Sequence, residues 1–255
     1  MGVAALPTEF EGDTGTLRGE VWVPPHRAAG GLVLWNHGSR GRGRGLNAPR
    51  TRGRTALDVW LELGLSVFAS SRRGYDDSAG QDIHAILDDQ EFGSIGYYEC
   101  LAQRLYLELE DVLAAVSYAR TKDWGKDCPI ICSGYSLGAI LTILALRESD
   151  ELAVGIAFAL GAITWDPSAR MRELITAAAT RLDKPVMLIQ ASNDYSTGPT
   201  RNIGPVLEKN NPLSRSLLTG ACGDTPDDGH VVSALGADDW YPDVRQFLRD
   251  ISIDI

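Results

Sequence analysis

Residues 130–146 read IICSGYSLGAILTILAL. In this stretch a short apolar run leads into a turn rich in glycine and serine, and the turn leads into a second apolar run long enough for a helix. The turn contains the pattern G-x-S-x-G, with Gly134, Ser136 and Gly138 at its fixed positions. Between a strand and a helix, this pattern is typical of a nucleophile elbow, in which a strained backbone projects a serine hydroxyl at a sheet edge. It predicts Ser136 as a nucleophile.

On either side of this stretch, short apolar runs alternate with amphipathic helical patterns. Strands that are apolar throughout and separated by helices indicate a mostly parallel sheet with helices on both faces, which is an α/β fold. Ligands of such sheets bind at the carboxyl ends of the strands, where Ser136 lies. The patterns predict strands at 16–23 (antiparallel), 31–36, 65–70, 129–132, 152–160, 185–191 and 213–218, and helices at 55–63, 97–120, 136–146, 168–182, 199–209 and 239–249.

Length and composition restrict the class of protein. The 255 residues are 44% hydrophobic and 23% charged, which predicts one globular domain over residues 1–255. A net charge of −10 disfavours nucleic acid and anionic membranes as partners. The longest apolar run, 152–163, is too short to span a bilayer, and the N-terminus lacks the basic region of a signal peptide. We therefore expect a cytoplasmic protein. Four cysteines in 255 residues are too few for a disulfide framework.

Five motifs carry a resemblance to a known family. In chain order they are WNHGSRG (35–41), SRRGY (71–75), GYSLG (134–138), NDYS (193–196) and DDGH (227–230). From about Gly31 to the C-terminus, the chain resembles the α/β-hydrolase superfamily, and most closely its dienelactone-hydrolase-like esterases. The resemblance implies the α/β-hydrolase fold. The interval 160–185 has room for one helix, so we expect no large cap domain.

The order of residues in this superfamily, which is serine, acid and histidine, selects partners for Ser136. Of the four histidines, only His230 follows Ser136, so it is the predicted base. Asp194 follows the predicted strand 185–191 and is the favoured acid, which would hold the imidazole by a hydrogen bond. Asp166, after the preceding strand, is the main competitor for that role.

The resemblance also implies an oxyanion hole, which needs two preorganised donors. One is the backbone N–H of Leu137, the residue after the nucleophile. The segment His37–Ser39 resembles the family's HG-x turn, so the second donor is assigned to the Ser39 N–H, with Gly38 making the close turn. Arg73 and Tyr75, in the segment that shapes the site floor in the family, are candidate substrate-binding or supporting residues.

Residues 40–54, RGRGRGLNAPRTRGR, contain six arginines and no acidic residue in an otherwise acidic chain. The run begins at the predicted oxyanion turn, so one interpretation is capture of a substrate carboxylate. The other is a solvated loop with no binding role.

Together these features predict a serine hydrolase that cleaves a small carboxylic ester or lactone through an acyl-enzyme on Ser136. An anionic substrate is the expectation if the arginine-rich run captures a carboxylate. This chemistry needs no metal and no organic cofactor. The alternatives are peptide or thioester cleavage by the same residues, since a fold does not fix a substrate, and a non-catalytic ligand-binding protein that retains the hydrolase fold.

Overall fold

The computed structural model describes residues 3–25, 30–41, 45–46 and 54–255. Within them, eight strands form one sheet in the order β1-β2-β4-β3-β5-β6-β7-β8. The strands are β1 (Leu6–Gly12), β2 (Gly15–Trp22), β3 (Leu32–Asn36), β4 (Ser66–Ser71), β5 (Ile130–Tyr135), β6 (Leu152–Phe158), β7 (Val186–Ala191) and β8 (Arg215–Thr219).

Pairing in this sheet is antiparallel at one edge and parallel elsewhere. Strand β2 runs antiparallel to β1 and to β4, whereas every pair from β4 to β8 is parallel. The carboxyl ends of β3 to β8 therefore share one edge, and the motifs that follow them are brought to that edge. The predicted α/β class with a mostly parallel sheet is confirmed.

Helices cover both faces of the sheet, as strand β3 illustrates. Leu32 and Leu34 belong to a hydrophobic cluster formed with α3, α4 and α6, whereas Val33 and Trp35 belong to a second cluster formed with α1 and α10. All four side chains are fully buried. The described helices are α1 (Ala56–Glu62), α2 (Ile83–Leu87), α3 (Ile95–Arg120), α4 (Leu137–Glu148), α5 (Ala162–Trp165), α6 (Ala169–Thr180), α7 (Gly198–Asn210), α8 (Pro226–His230), α9 (Val232–Leu235) and α10 (Ala237–Asp250).

The connection between β6 and β7 contains α5 and α6, which agrees with the absence of a large cap domain at this point. In the described part of the chain, no helix combines the length and the apolar character that a membrane crossing requires.

The structure also contains elements that the sequence patterns did not predict. Strand β1 was missed because most of its residues are exposed and Phe10 alone is buried. The short helices α2, α5, α8 and α9 were also missed. His230, expected in a loop, is the last residue of α8, which begins with a capping box between Thr225 and Asp228.

Candidate active site

Ser136 lies at the junction of β5 and α4 in a strained backbone conformation. Its φ is 59° and its ψ is −117°, a combination that is unfavourable for any residue other than glycine. The Ser136 N–H donates a hydrogen bond of 2.9 Å to the carbonyl of Phe158, so the sheet holds the turn at its carboxyl edge. The hydroxyl group therefore projects from the edge at which the motifs converge.

The two glycines of the pattern permit close packing around this turn. A Cβ on Gly134 would collide with the carbonyl of Gly138, and a Cβ on Gly138 would collide with the carbonyl of Asn36 on β3. Neither glycine needs a positive φ, so their role is steric. The spacing G-x-S-x-G is thus explained by the contact between strand and helix on both sides of Ser136.

Ser136, His230 and Asp194 form a hydrogen-bonded series. Nε2 of His230 lies 2.8 Å from Oγ of Ser136, and Nδ1 of His230 lies 2.8 Å from Oδ1 of Asp194. The Asp194 carboxylate accepts hydrogen bonds, so Nδ1 carries the proton and Nε2 is free to accept one from the serine hydroxyl. His230 is 3% exposed and Asp194 is 8% exposed, so the series is largely shielded from water.

The Asp194 carboxylate is held by donors on both oxygens. Besides the imidazole, Oδ1 accepts the N–H of Tyr195 at 2.7 Å, and Oδ2 accepts Nε2 of Gln190 at 2.8 Å. Gln190 is fully buried on β7, and its own carbonyl oxygen accepts the hydroxyl of Thr200 at 2.7 Å. The sequence analysis did not identify Gln190. A glutamine inside an apolar strand could have indicated it, because a buried amide needs hydrogen-bond partners.

Asp166, the competing acid, lies elsewhere. It follows α5 with an exposed side chain, and its backbone carbonyl accepts a guanidinium N–H from Arg172 at 2.8 Å. The structure therefore brings Asp194, and not Asp166, to the imidazole of His230.

The turn after β3 lies beside Ser136, and Ser39 and Leu137 border the same cavity as the serine. Gly38 permits this approach, since a Cβ there would lie 2.7 Å from the ring of Tyr135. The assignment of the Leu137 and Ser39 N–H groups as an oxyanion hole remains a prediction.

The buried side chain of Arg72 holds the turn after β3 in place by hydrogen bonds to its backbone. The Arg72 guanidinium donates to the carbonyls of His37 at 2.9 Å and Gly38 at 3.3 Å, and to Glu108 at 2.6 Å. Glu108 also accepts from Arg104 at 2.9 Å, which makes a buried arrangement of two arginines around one carboxylate. Because these side chains are almost fully buried and mutually satisfied, they fix the turn rigidly.

Arg73 and Tyr75 support the site and are not part of the cavity wall. Nε, Nη2 and the backbone N–H of Arg73 all donate to the Asp111 carboxylate, and the side-chain hydrogen bonds raise the pKa of Arg73. Arg73 is 5% exposed and does not border the cavity beside Ser136, so of the two roles expected for it the structure favours the supporting one. The Tyr75 hydroxyl donates to the Ser39 carbonyl at 3.3 Å, beneath the turn. Gly38 likewise acts through close packing of the turn.

Two of the six arginines in 40–54 belong to the described residues. Arg40 is exposed at the rim of the cavity, whereas Arg54 pairs with Glu62 and Asp238. The other four, at 42, 44, 50 and 52, lie outside the described residues, so carboxylate capture by this run remains a prediction.

A cavity of about 500 Å³ extends from Ser136 under the connection between β4 and α3. Helix α2 lies within that connection and contributes Ile83 and Leu87 to the cavity wall. Over the described ranges, no cluster of three or more His, Cys, Asp or Glu side chains is placed to hold a metal ion.

Comparison of the whole chain with known proteins identifies solved structures of similar fold. An esterase from Pyrococcus furiosus has a TM-score of 0.67 at 17% identity, over 98% of this chain and 91% of the esterase. A serine hydrolase from Xanthomonas campestris, described as an α/β hydrolase without a lid, has a TM-score of 0.56 at 17% identity, over 98% and 94% of the two chains. No protein-family model and no curated protein sequence matches the chain.

The acylaminoacyl peptidase of Pyrococcus horikoshii is also similar, with a TM-score of 0.68 at 13% identity. The match covers this entire chain but 42% of the peptidase, so the chain spans less than half of that protein. At these identities the likeness establishes the fold. The dienelactone-hydrolase-like subtype remains a prediction, because these structures are described as an esterase, a serine hydrolase and a peptidase.

Proposed function

We propose that the chain is a serine hydrolase that cleaves a carboxylic ester or lactone. The proposal rests on the α/β-hydrolase fold and on the hydrogen bonds that join Ser136, His230 and Asp194. The observation that carries this proposal is the pair of 2.8 Å contacts from the two ring nitrogens of His230. A serine hydroxyl is a weak nucleophile until an adjacent base takes its proton, and this geometry supplies that base.

The reaction proceeds in two halves. Nε2 of His230 takes the Ser136 proton as Oγ attacks the ester carbonyl carbon, and the carbonyl oxygen becomes an oxyanion held by the Leu137 and Ser39 N–H groups. The tetrahedral intermediate collapses, and His230 gives the proton to the leaving alkoxide. Water then attacks the acyl-enzyme with the same proton transfers, which releases the acid and restores Ser136.

Asp194 stabilises the imidazolium that forms in each half-reaction. Its carboxylate accepts hydrogen bonds from the Tyr195 N–H and from Nε2 of Gln190, so it is fixed in position. Because Nδ1 donates to this carboxylate, the imidazole cannot rotate away from Ser136.

Two further observations support a serine-based esterase. Burial raises the pKa of the Cys132 thiol to about 12, which keeps this neighbouring cysteine protonated and poorly nucleophilic. The fold also matches that of the Pyrococcus furiosus esterase over 98% of this chain and 91% of the esterase.

A fluorophosphonate probe tests the proposal directly. We expect the folded protein to be labelled at Ser136, as read by peptide mass spectrometry, and heat-denatured protein to remain unlabelled, because only the fold activates the hydroxyl. The Ser136→Ala variant serves as the control for site selectivity. Folded protein that fails to react, or that reacts equally after denaturation, would contradict an assembled catalytic site.

Gln190 is expected to act as a positioning residue for Asp194. In Gln190→Met the carboxylate loses one donor, and we expect kcat to fall by about tenfold with little change in KM, since a lost hydrogen bond to a charged group costs about 1.5 kcal/mol.

Thr200→Val provides the matched control, since it removes the hydroxyl bound to the Gln190 carbonyl and leaves the donor to Asp194 in place. Its effect on kcat should be smaller than that of Gln190→Met. Loss of stability in Gln190→Met without a change in kcat would limit Gln190 to a packing role.

A further inference from the structure

The cavity beside Ser136 has an apolar interior. Four buried aliphatic side chains, 1% to 6% exposed, form its wall and come from three different helices. Ile83 and Leu87 belong to α2, Leu101 to α3, and Ile140 to α4. A wall of this kind favours apolar groups, because each methylene moved there leaves water.

Ionisable side chains border the cavity at its rim. Arg40, His84 and Asp88 are exposed, whereas the described side chains of the buried wall carry no charge. A carboxylate packed against these four aliphatic side chains would lose hydration that they cannot replace, which is unfavourable.

The wall is fixed to the proposed oxyanion turn. His84, on α2, donates from Nε2 to the carbonyl of Ser39 at 2.8 Å. The side chain of Asp82 caps the first turn of α2 by accepting the N–H of His84 at 2.6 Å, and Arg104 donates to the carbonyl of Gln81 at 2.6 Å. These hydrogen bonds hold Ile83 and Leu87 beside Ser136, so the cavity is preformed.

We propose that this cavity binds an uncharged, linear aliphatic chain of the ester, so that medium-chain esters are the preferred substrates. The inference rests on the proposed function and specifies its substrate class. A volume of about 500 Å³ holds about 17 water-sized groups, and a methylene is of similar size, so an eight-carbon chain and the ester group fit together. Phe92, 71% exposed, extends the apolar surface at the rim.

Two substrate series test the proposal. The first lengthens the acyl chain, from p-nitrophenyl acetate to butyrate and octanoate, and the second lengthens the alcohol in alkyl acetates. We expect kcat/KM to rise by at least about 100-fold between two and eight carbons in one series, since a fully buried methylene is worth about fourfold. The series that responds identifies which side of the ester occupies the cavity.

A charged substrate of the same length distinguishes binding of an apolar chain from capture of a carboxylate. The p-nitrophenyl half-ester of octanedioic acid has the length of the octanoate ester and ends in a carboxylate. We expect its kcat/KM to be at least about tenfold lower than that of the octanoate ester, because the carboxylate is desolvated against aliphatic side chains. Faster cleavage of the half-ester would overturn the proposal in favour of anion capture at Arg40.

A substitution in the cavity wall tests whether the dependence of kcat/KM on chain length arises there. Leu87→Gln should lower the ratio of kcat/KM for octanoate to that for acetate by at least about tenfold, since it puts an amide where the chain packs. Leu107→Gln, on the exposed surface of α3, is the matched control and should leave this ratio unchanged. An equal ratio in wild type and Leu87→Gln would show that the chain lies elsewhere.

Binding to Ser136→Ala separates this proposal from the proposed function. By titration calorimetry, this variant should bind p-nitrophenyl octanoate at least about tenfold more tightly than the acetate, whether or not wild type hydrolyses either. Chain-dependent binding without hydrolysis would support the cavity assignment and count against the esterase. Hydrolysis and binding that are both independent of chain length would overturn the cavity assignment and retain the esterase.

Discussion

Replacing Ser136 with alanine is expected to reduce kcat for ester hydrolysis by about 10⁵-fold to 10⁶-fold, because no other group takes the place of the nucleophile. The residual rate comes from binding and from the Leu137 and Ser39 N–H groups. The fold should persist, since the substitution removes one hydrogen bond, to His230, from a half-buried hydroxyl. We expect the free energy of unfolding to change by about 1 kcal/mol or less, as measured by urea denaturation.

Ser133, in the strand that leads to Ser136, offers a matched control. It is fully buried three residues before Ser136, and its hydroxyl donates to the carbonyl of Ile156 at 3.0 Å, away from His230. Ser133→Ala should keep nearly full kcat and lose some stability, which is the reverse of the result for Ser136→Ala. If Ser136→Ala retained more than about a tenth of the wild-type kcat, the nucleophile would be another residue.

The elbow could be predicted because its constraints are local. Gly134 and Gly138 are required by backbone contacts within the turn and with the neighbouring strand β3, and the apolar runs on both sides define strand and helix. The order of residues along the chain then selected His230, which the structure brings within 2.8 Å of Ser136. Local pattern and chain order were therefore enough for this part of the site.

The support beneath the oxyanion turn could not be predicted, because it depends on which side chains of distant segments meet. Arg72 and Arg73 are adjacent in sequence, and each turns to a different acid on α3, Glu108 and Asp111. Those acids lie three residues apart on α3, and both are buried. The role of Gln190 could not be predicted for the same reason. It depends on the turn after β7, which brings the Asp194 carboxylate within hydrogen-bond distance of Nε2 of Gln190.

Short elements were missed where tertiary contacts replace a local pattern. Helix α2 has five residues, of which Ile83 and Leu87 are buried, and this is too few to establish a helical period. Helix α2 lies in the long connection over 76–96 and forms part of the cavity wall. The contacts of Ile83 and Leu87 with distant residues, which a local pattern does not show, place it there.

The second large effect is expected from Asp194→Asn, which should lower kcat by about 10⁴-fold. An asparagine amide is nearly the size of the carboxylate but can donate to Nδ1 of His230, which then carries its proton on Nε2. In that tautomer the ring cannot accept the Ser136 proton, and the imidazolium also loses its counter-charge. Measurement of kcat and KM should show the loss in kcat, because Asp194 is buried behind the imidazole and away from the substrate.

Asp166→Asn makes the same chemical change at the competing position and should alter kcat by less than about threefold, because this exposed side chain lies away from His230. A severe loss in Asp166→Asn together with a mild loss in Asp194→Asn would reverse the assignment of the acid. Two mild losses would mean that the imidazole is held by its packing alone. The rings of Tyr135 and Tyr195, 5.3 and 5.5 Å from the imidazole between ring centroids, provide that packing. The comparison therefore separates the electrostatic contribution of Asp194 from the steric confinement of His230, since the two asparagine variants leave both tyrosines in place.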